Sequence, residues 1–303
     1  MAAERLAPAK VNLFLHVGAI GADGYHPLSS LVTFADAGDV VTLEAADRFG
    51  FEADGPFAAG LGSDSDNLVV RARQSLIEGF SPHWSPFRLV LRKNLPVAAG
   101  LGGGSADAAA ALRLMATRGR LDSSPAGRQR LFDVAARLGA DVPMCLVGEP
   151  RLALGRGDEL RAPPAFPDLE AVLVNALAPS PTGAVYRAYD AAGAPGAADT
   201  PRAPAMATTL DVVAFLETTR NDLESPAISL QPAVAAVLAT LRALPQTLLA
   251  RMSGSGATCF ALCRDRADRD ALAEAIARAR PDWWVQPCRL AGSVAASFSG
   301  ERT

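Results

Sequence analysis

The stretch Pro96, Val97, Ala98, Ala99, Gly100, Leu101, Gly102, Gly103, Gly104, Ser105, Ala106 constrains this chain more than any other. Four glycines fall within five positions. Before them runs a strand-like segment, Phe87 to Lys93, with Leu89 and Leu91 on one face; after them runs an alanine-rich, helix-like segment, Asp107 to Met115. Strand, glycine loop and helix N-terminus together make a geometry for holding an anion. Without Cβ atoms, successive backbone N–H groups can turn toward one point and approach phosphate oxygens closely. The first helical turn adds unpaired donors and the positive end of the helix dipole. A plain structural loop has the same composition, so the run alone leaves both readings open. No Gly-Lys-Ser/Thr closes it, which sets it apart from the Walker type of phosphate loop. No acidic residue ends a second strand about 20 positions on, which sets it apart from the dinucleotide fingerprint. Leu101, apolar in the middle of the run, is expected to pin the loop to the core.

Half of the 303 residues are hydrophobic, enough for a substantial core in two domains of ordinary size. The proline-rich stretch 162–167 marks the boundary, giving an N-terminal domain over 1–164 and a C-terminal domain over 165–303. A net charge of −3 gives no pointer to nucleic acid or to an anionic membrane surface. There is no apolar run of about 18 residues and no basic-then-apolar leader, so a soluble, cytoplasmic protein without a membrane partner is expected. Cys145, Cys259, Cys263 and Cys288 are scattered and read as reduced, buried thiols. Arginine outnumbers lysine 27 to 2. Where arginine serves nearly everywhere, the two lysines, Lys10 and Lys93, hint at positions needing a compact ammonium.

Along the chain, Val11, Leu13, Leu15 and Val17 alternate with Asn12, Phe14 and His16, predicting a strand with Lys10 at its start. A loop follows at 21–27 and a second strand at 39–45. The segment 66–77 reads as a helix capped by Asp66. Residues 128–138 form another helix, stopped by Gly139, and 151–160 turn back at Gly155-Arg156-Gly157. In the second half, strands are expected at 171–175, 248–252, 258–262 and 283–290, with helices at 210–218, 232–244 and 268–280. The small-residue stretch 191–204 is expected to be a mobile excursion. That order suits a two-layer α+β sandwich of the ferredoxin-like type.

Four segments then line up in order: Pro8-Ala-Lys-Val-Asn-Leu13, the glycine loop, Gly139-Ala-Asp-Val-Pro143 and Ser253-Gly-Ser-Gly-Ala257. Together they resemble the GHMP kinase superfamily. Asp23-Gly-Tyr-His26, Asp66-Asn-Leu68 and Leu138 to Pro143 narrow the resemblance to the branch that acts on a cytidine diphosphate-linked polyol. It spans most of the chain, densely to about residue 160 and more thinly beyond. It implies an α+β, two-domain GHMP kinase architecture, ribosomal-protein-S5-domain-2-like in the N-terminal half and ferredoxin-like in the C-terminal half, with the active site in the cleft between. It also implies transfer of the ATP γ-phosphoryl group to a hydroxyl, a reaction that needs mainly positioning and charge stabilisation.

By themselves Asp141 reads as a helix terminus and Lys10 as a solvated strand residue. The resemblance makes Asp141 the general base and Lys10 the stabiliser of developing charge. It gives the loop Pro96 to Ala106 the phosphates of ATP, and Asn67 and Lys93 the neighbourhood of the adenosine, Asn67 having a rival role as a helix cap. Tyr25 and Tyr186 would sandwich the cytosine while His26 reads its edge, although Tyr186 and Tyr189 would also pack one side of a short helix. Asn12 and Thr182 are further candidates for the substrate. Mg²⁺ is expected with ATP, its protein ligands undefined; Asp107 is a candidate for direct or water-mediated contact. The assembly is expected to be a monomer or homodimer. Two other readings stay open: a superfamily kinase for mevalonate, homoserine or a sugar, and a non-catalytic nucleotide-binding protein on the same fold.

Overall fold

A computed structural model describes residues 2–80, 84–193 and 196–291. The first half is built on seven strands: β1 (Ala3–Asn12), β2 (His16–Val17), β3 (Leu28–Ala45), β4 (Gly50–Asp54), β5 (Phe87–Arg92), β6 (Arg151–Gly155) and β7 (Glu159–Arg161). Its spine is β3, rich in Val, Leu and Thr, which pairs antiparallel with β1, β2, β5 and β6. Helices α1 (Leu68–Phe80), α2 (Gly103–Gly119), α3 (Pro125–Leu138) and α4 (Val142–Val147) share one core with this sheet, where Val41, Leu43, Phe87, Leu89 and Leu91 meet Leu76, Leu112 and Met115. Ala108 to Ala111 of α2 are buried there, and their small side chains let the helix lie close to its neighbours.

The β1–β3 register slips between Pro8 and Lys10. Pro8 opposes Gly38 whereas Lys10 opposes Phe34. Such a bulge re-aims the side chains beyond it. Ala7 lies in the helix-covered core, yet Ala9, Val11 and Leu13 lie in a second core, and Lys10 and Asn12 are thereby turned into the cleft described below.

The second half runs β8 (Leu169–Asn175), α5 (Thr182–Ala191), α6 (Thr209–Glu217), α7 (Glu224–Leu230), α8 (Ala233–Ala243), β9 (Leu249–Met252), β10 (Cys259–Cys263), α9 (Arg266–Ala279) and β11 (Trp284–Leu290). The strands lie in the order β11-β8-β10-β9, all antiparallel, which is the ferredoxin-like arrangement expected. β8 and β10 are covered on both faces. Leu173 and Phe260 pack with α6 and the far side of β1, while Val174 and Cys259 pack with α8 and α9. The pairing of Leu290 with Ala35 joins the two sheets into one path, and an isolated bridge between Leu15 and Asn221 also links the halves. The four cysteines are free and buried. Among the described residues no helix is long and apolar enough to cross a membrane.

Several elements differ from the sequence reading. β1 starts at Ala3, and the strand expected at 39–45 is the last part of the longer β3. The helix expected from Asp107 begins at Gly103, so two glycines of the run form its first turn. The cap of α1 is Asn67, whose Oδ1 accepts the Val69 N–H at 2.9 Å; Asp66 instead accepts from the Ser63 hydroxyl. Helix α7 was not anticipated. The stretch expected to be an excursion lies partly outside the described residues, at 194–195. Its described part is tied down: Gly196 N–H donates to the Tyr189 hydroxyl, His16 Nδ1–H to Asp199 O, and Arg220 to Ala197 O.

Candidate active site

A cleft of about 870 Å³ runs between the glycine loop, the ends of β1 and α4, the loop 20–28, α5 and the loop at 253–256. At one end, Pro96 to Gly100 and Gly102 to Ser105 line it. Leu101 and Ala106 are buried instead, and Leu101 anchors the loop in the second core as expected. The residue preceding α2 is Gly102, at φ 61°, and no side chain caps the helix. A Ser or Asp cap would consume a first-turn donor; its absence leaves those N–H groups for an anion. The loop is held from both sides. Lys10 N–H donates to Leu101 O at 2.8 Å, Thr258 N–H to Ala99 O at 3.1 Å, and the Ser253 hydroxyl to Gly100 O at 3.1 Å. Gly100 has no alternative here, because a Cβ would stand 2.5 Å from Ser253 O.

In the middle of the cleft, Lys10 Nζ lies 2.9 Å from Asp141 Oδ2. The two side chains come from β1 and from the N-terminus of α4. Asp141 makes no capping hydrogen bond to its own helix, so the carboxylate is available to the cleft. Helix α4 is steadied at its other end by Arg113, whose guanidinium donates to the carbonyls of Leu146 and Val147. The Lys10 side chain is 9% exposed and that of Asp141 40%. Burial lowers the lysine's pKa, but the charge and hydrogen bond of Asp141 outweigh it, and the net direction is upward. The ammonium therefore stays charged beside the carboxylate.

The other end is aromatic. Tyr25, His26 and Tyr186 all line the cleft. Tyr25 is 57% exposed, with the Arg156 guanidinium 4.4 Å from its ring centroid; Arg156 is in turn ion-paired to Asp23. The rings of His26 and Tyr186 lie 5.2 Å apart. His26 Nδ1 meets the Gly18 carbonyl at 2.8 Å and must carry the proton; Nε2 faces Asp190 Oδ1 at 3.3 Å. Burial pushes the Tyr186 phenol up to about 12, so it remains a neutral donor. Thr182 and Tyr186 share a face of α5, the Thr182 hydroxyl 2.8 Å from that of Ser255. Asn12 donates through Nδ2 to the Ser30 hydroxyl at 2.7 Å, and Ser30 donates on to Phe14 O. The sequence reading missed Arg156, Arg187 and Asp190 in this lining. The helical spacing Thr182, Tyr186, Asp190 was a signal by which the last of these could have been found.

Three of the candidate residues have partners of their own. Asn67 is absent from the cleft lining, its side-chain oxygen spent on the cap of α1; Leu61 and Leu68 line that region. Lys93 reaches the cleft floor but is 2% exposed, with its ammonium taken by Asp39 and Asp107. Asp107 is 1% exposed against that lysine and does not line the cleft, so it is not available to a metal. Among the described residues no group of three or more His, Cys, Asp or Glu side chains is placed to hold a metal ion.

With this geometry in hand, comparison with known proteins is specific. The family model "GHMP kinases N terminal domain" matches residues 67–149, and "GHMP kinases C terminal" matches residues 211–282. The 4-diphosphocytidyl-2-C-methyl-D-erythritol kinase of Caulobacter sp. (strain K31) is 55% identical over 96% of this chain and 99% of its own. The protein of the same name from Caulobacter vibrioides (strain NA1000 / CB15N) is 52% identical over 96% of this chain and 100% of its own. A crystal structure of a 4-(cytidine 5'-diphospho)-2C-methyl-D-erythritol kinase superposes with a TM-score of 0.74 at 32% identity, covering 96% of this chain and all of that one.

Proposed function

The chain belongs to the GHMP kinase family, in the branch of the 4-diphosphocytidyl-2-C-methyl-D-erythritol kinases, and from that premise we propose that it transfers the γ-phosphoryl group of ATP to the 2-hydroxyl of 4-diphosphocytidyl-2-C-methyl-D-erythritol, a step of non-mevalonate isoprenoid precursor synthesis. The observation that carries this reading is the Lys10–Asp141 pair, 2.9 Å apart between the glycine loop and an aromatic end wall.

Each group has a task in that reaction. The uncapped first turn of α2 and the loop before it bind the ATP phosphates through backbone N–H groups. Asp141 accepts the proton of the acceptor hydroxyl as the oxygen attacks. Lys10, held charged against that carboxylate, spreads the charge developing on the transferred group. Tyr25 and Tyr186 offer π faces to the cytosine, and His26 offers its ring edge once Nε2 turns from Asp190 to the base. Asn12 and Thr182 bind the polyol. Mg²⁺, bound together with ATP, would neutralise phosphate charge there; among the described residues no group of three or more His, Cys, Asp or Glu side chains is placed to hold it. The reading also carries a soluble cytoplasmic enzyme, monomer or homodimer, without nucleic-acid or membrane partners, divided near residue 164 just before β8 begins.

An ADP-release assay with Mg²⁺-ATP tests it. Turnover is expected with the cytidine diphosphate-linked polyol and not with mevalonate or homoserine, whose lack of a base leaves the aromatic end empty. Equal turnover with either of those, or none with the polyol, refutes the proposal.

A further inference from the structure

The strand that leads into the glycine loop ends on a buried triad with no place in the chemistry above. Lys93 Nζ donates to Asp39 Oδ2 at 2.5 Å and to Asp107 Oδ2 at 2.7 Å. The three side chains are 3%, 0% and 2% exposed. They come from three separate elements: β3, the segment just after β5, and the second turn of α2. Asp39 does more than pair. Its other oxygen accepts the N–H groups of Asn94 at 2.6 Å and Leu95 at 2.8 Å, the last two residues before Pro96 opens the loop. A Cβ on Gly103 would come within 3.0 Å of Lys93 Nζ and 3.5 Å of Asp39 Oδ2, so the ammonium sits directly against the first residue of α2.

A lone cation is disfavoured at the positive end of a helix; the two acidic side chains that accept its hydrogen bonds make the position tolerable. One oxygen of Asp107 is buried with no hydrogen-bond partner. An unpaired buried acceptor is costly, and stability alone would favour removing it. Neither carboxylate lines the cleft.

From this arrangement we infer that Asp39 and Asp107 are positioning residues for the phosphate-binding turn, acting through Lys93 to set the height and angle of the first turn of α2 beneath ATP. The inference rests on the phosphate role proposed for that turn. The triad clamps the loop where it begins, at Asn94 and Leu95, and where it ends, at Gly103 and Asp107. The donors between these clamps keep one geometry before the nucleotide arrives, so little order has to be imposed on binding.

The test is calorimetric titration of the full chain with Mg²⁺-ADP, beside steady-state kinetics. Asp107→Ala removes one leg and leaves the Asp39–Lys93 pair and the Asn94 and Leu95 contacts in place. It is expected to weaken ADP binding and raise KM for ATP on the order of tenfold or more, since small misplacements of binding groups are costly. KM for the polyol should stay within about twofold. Asp107→Asn, whose amide oxygen still accepts from Lys93, should restore ADP binding to near the parent value. If Asp107→Ala binds ADP as the parent does, or if KM for ATP and for the polyol rise together with a falling melting temperature, the positioning role is overturned. Failure of the parent chain itself to bind ADP would instead overturn the phosphate role of the loop.

Discussion

Lys10 and Asp141 are 131 positions apart in sequence and 2.9 Å apart in the fold. A compact ammonium suits the place: its carboxylate partner is 2.9 Å away, and Gly102 lies so close to the lysine stem that a Cβ there would come within 3.1 Å of Cε. Lys10→Arg is therefore expected to lower kcat by about two orders of magnitude while the chain stays folded, as loss of a preorganised charge-stabilising group does; steady-state kinetics beside circular dichroism checks it. The pKa of Lys10 lies above its ordinary 10.5, so the pair's contribution is complete below that value and is lost only as pH rises through the shifted one. The profile of kcat should accordingly show no alkaline limb from this lysine up to about pH 10. At this scale the sequence was informative where a residue type was rare: both lysines of an arginine-rich chain reach the cleft. It was uninformative where a role depends on what lies opposite. Nothing in the order of residues tells that Lys93 meets Asp39 and Asp107, or that Asn67 spends its oxygen on Val69.

Among the elements, the glycine loop and α2 show why a motif can be legible while its boundary is not. Strand, loop and helix were all foreseen, but α2 starts at Gly103, which packs against Lys93 in the fold although local propensity would leave it in the loop. Gly100 is the position with least latitude. Gly100→Ala drives a methyl against Ser253 O and is expected to cost about 1–3 kcal/mol by overpacking, and more for the strained backbone at φ 75°; a thermal melt measures it. Asp107 gives a pH dependence at the same element. Burial holds its carboxyl well above the ordinary 3.8, against the pull of Lys93. A carboxyl raised in the folded state contributes stability below its ordinary pKa and loses it as pH rises through the raised one. The melting temperature of Asp107→Asn relative to the parent should thus increase as pH rises from about 4 toward neutrality, and a flat difference would count against the shift.

For the molecule as a whole, the joint between Leu290 and Ala35 makes one continuous sheet path of two halves, with the cleft lined from both. The order of strands in the second half was legible, because each strand carries its own period and turn signals, whereas the short helix α7 was not. The joint was not, nor the full length of β3, because pairings between distant strands leave no local mark. The bulge opposite Ala9 is likewise silent in sequence, although it decides which core receives Val11 and hence where Lys10 points. An acceptor end built from Tyr25, His26 and Tyr186 and a phosphate end built from α2 should bind independently. CMP is expected to compete with the polyol and not with ATP in inhibition kinetics, and Tyr186→Ala should raise KM for the polyol while KM for ATP holds.

The central claim is that Asp141 removes the acceptor's proton in a cleft whose nucleotide site does not depend on it. Asp141→Asn, assayed for turnover and for Mg²⁺-ADP affinity on the same preparation, tests this most directly. The account predicts that kcat falls about 10²- to 10⁴-fold with ADP affinity within about twofold of the parent. A rate above about a tenth of the parent's would contradict it.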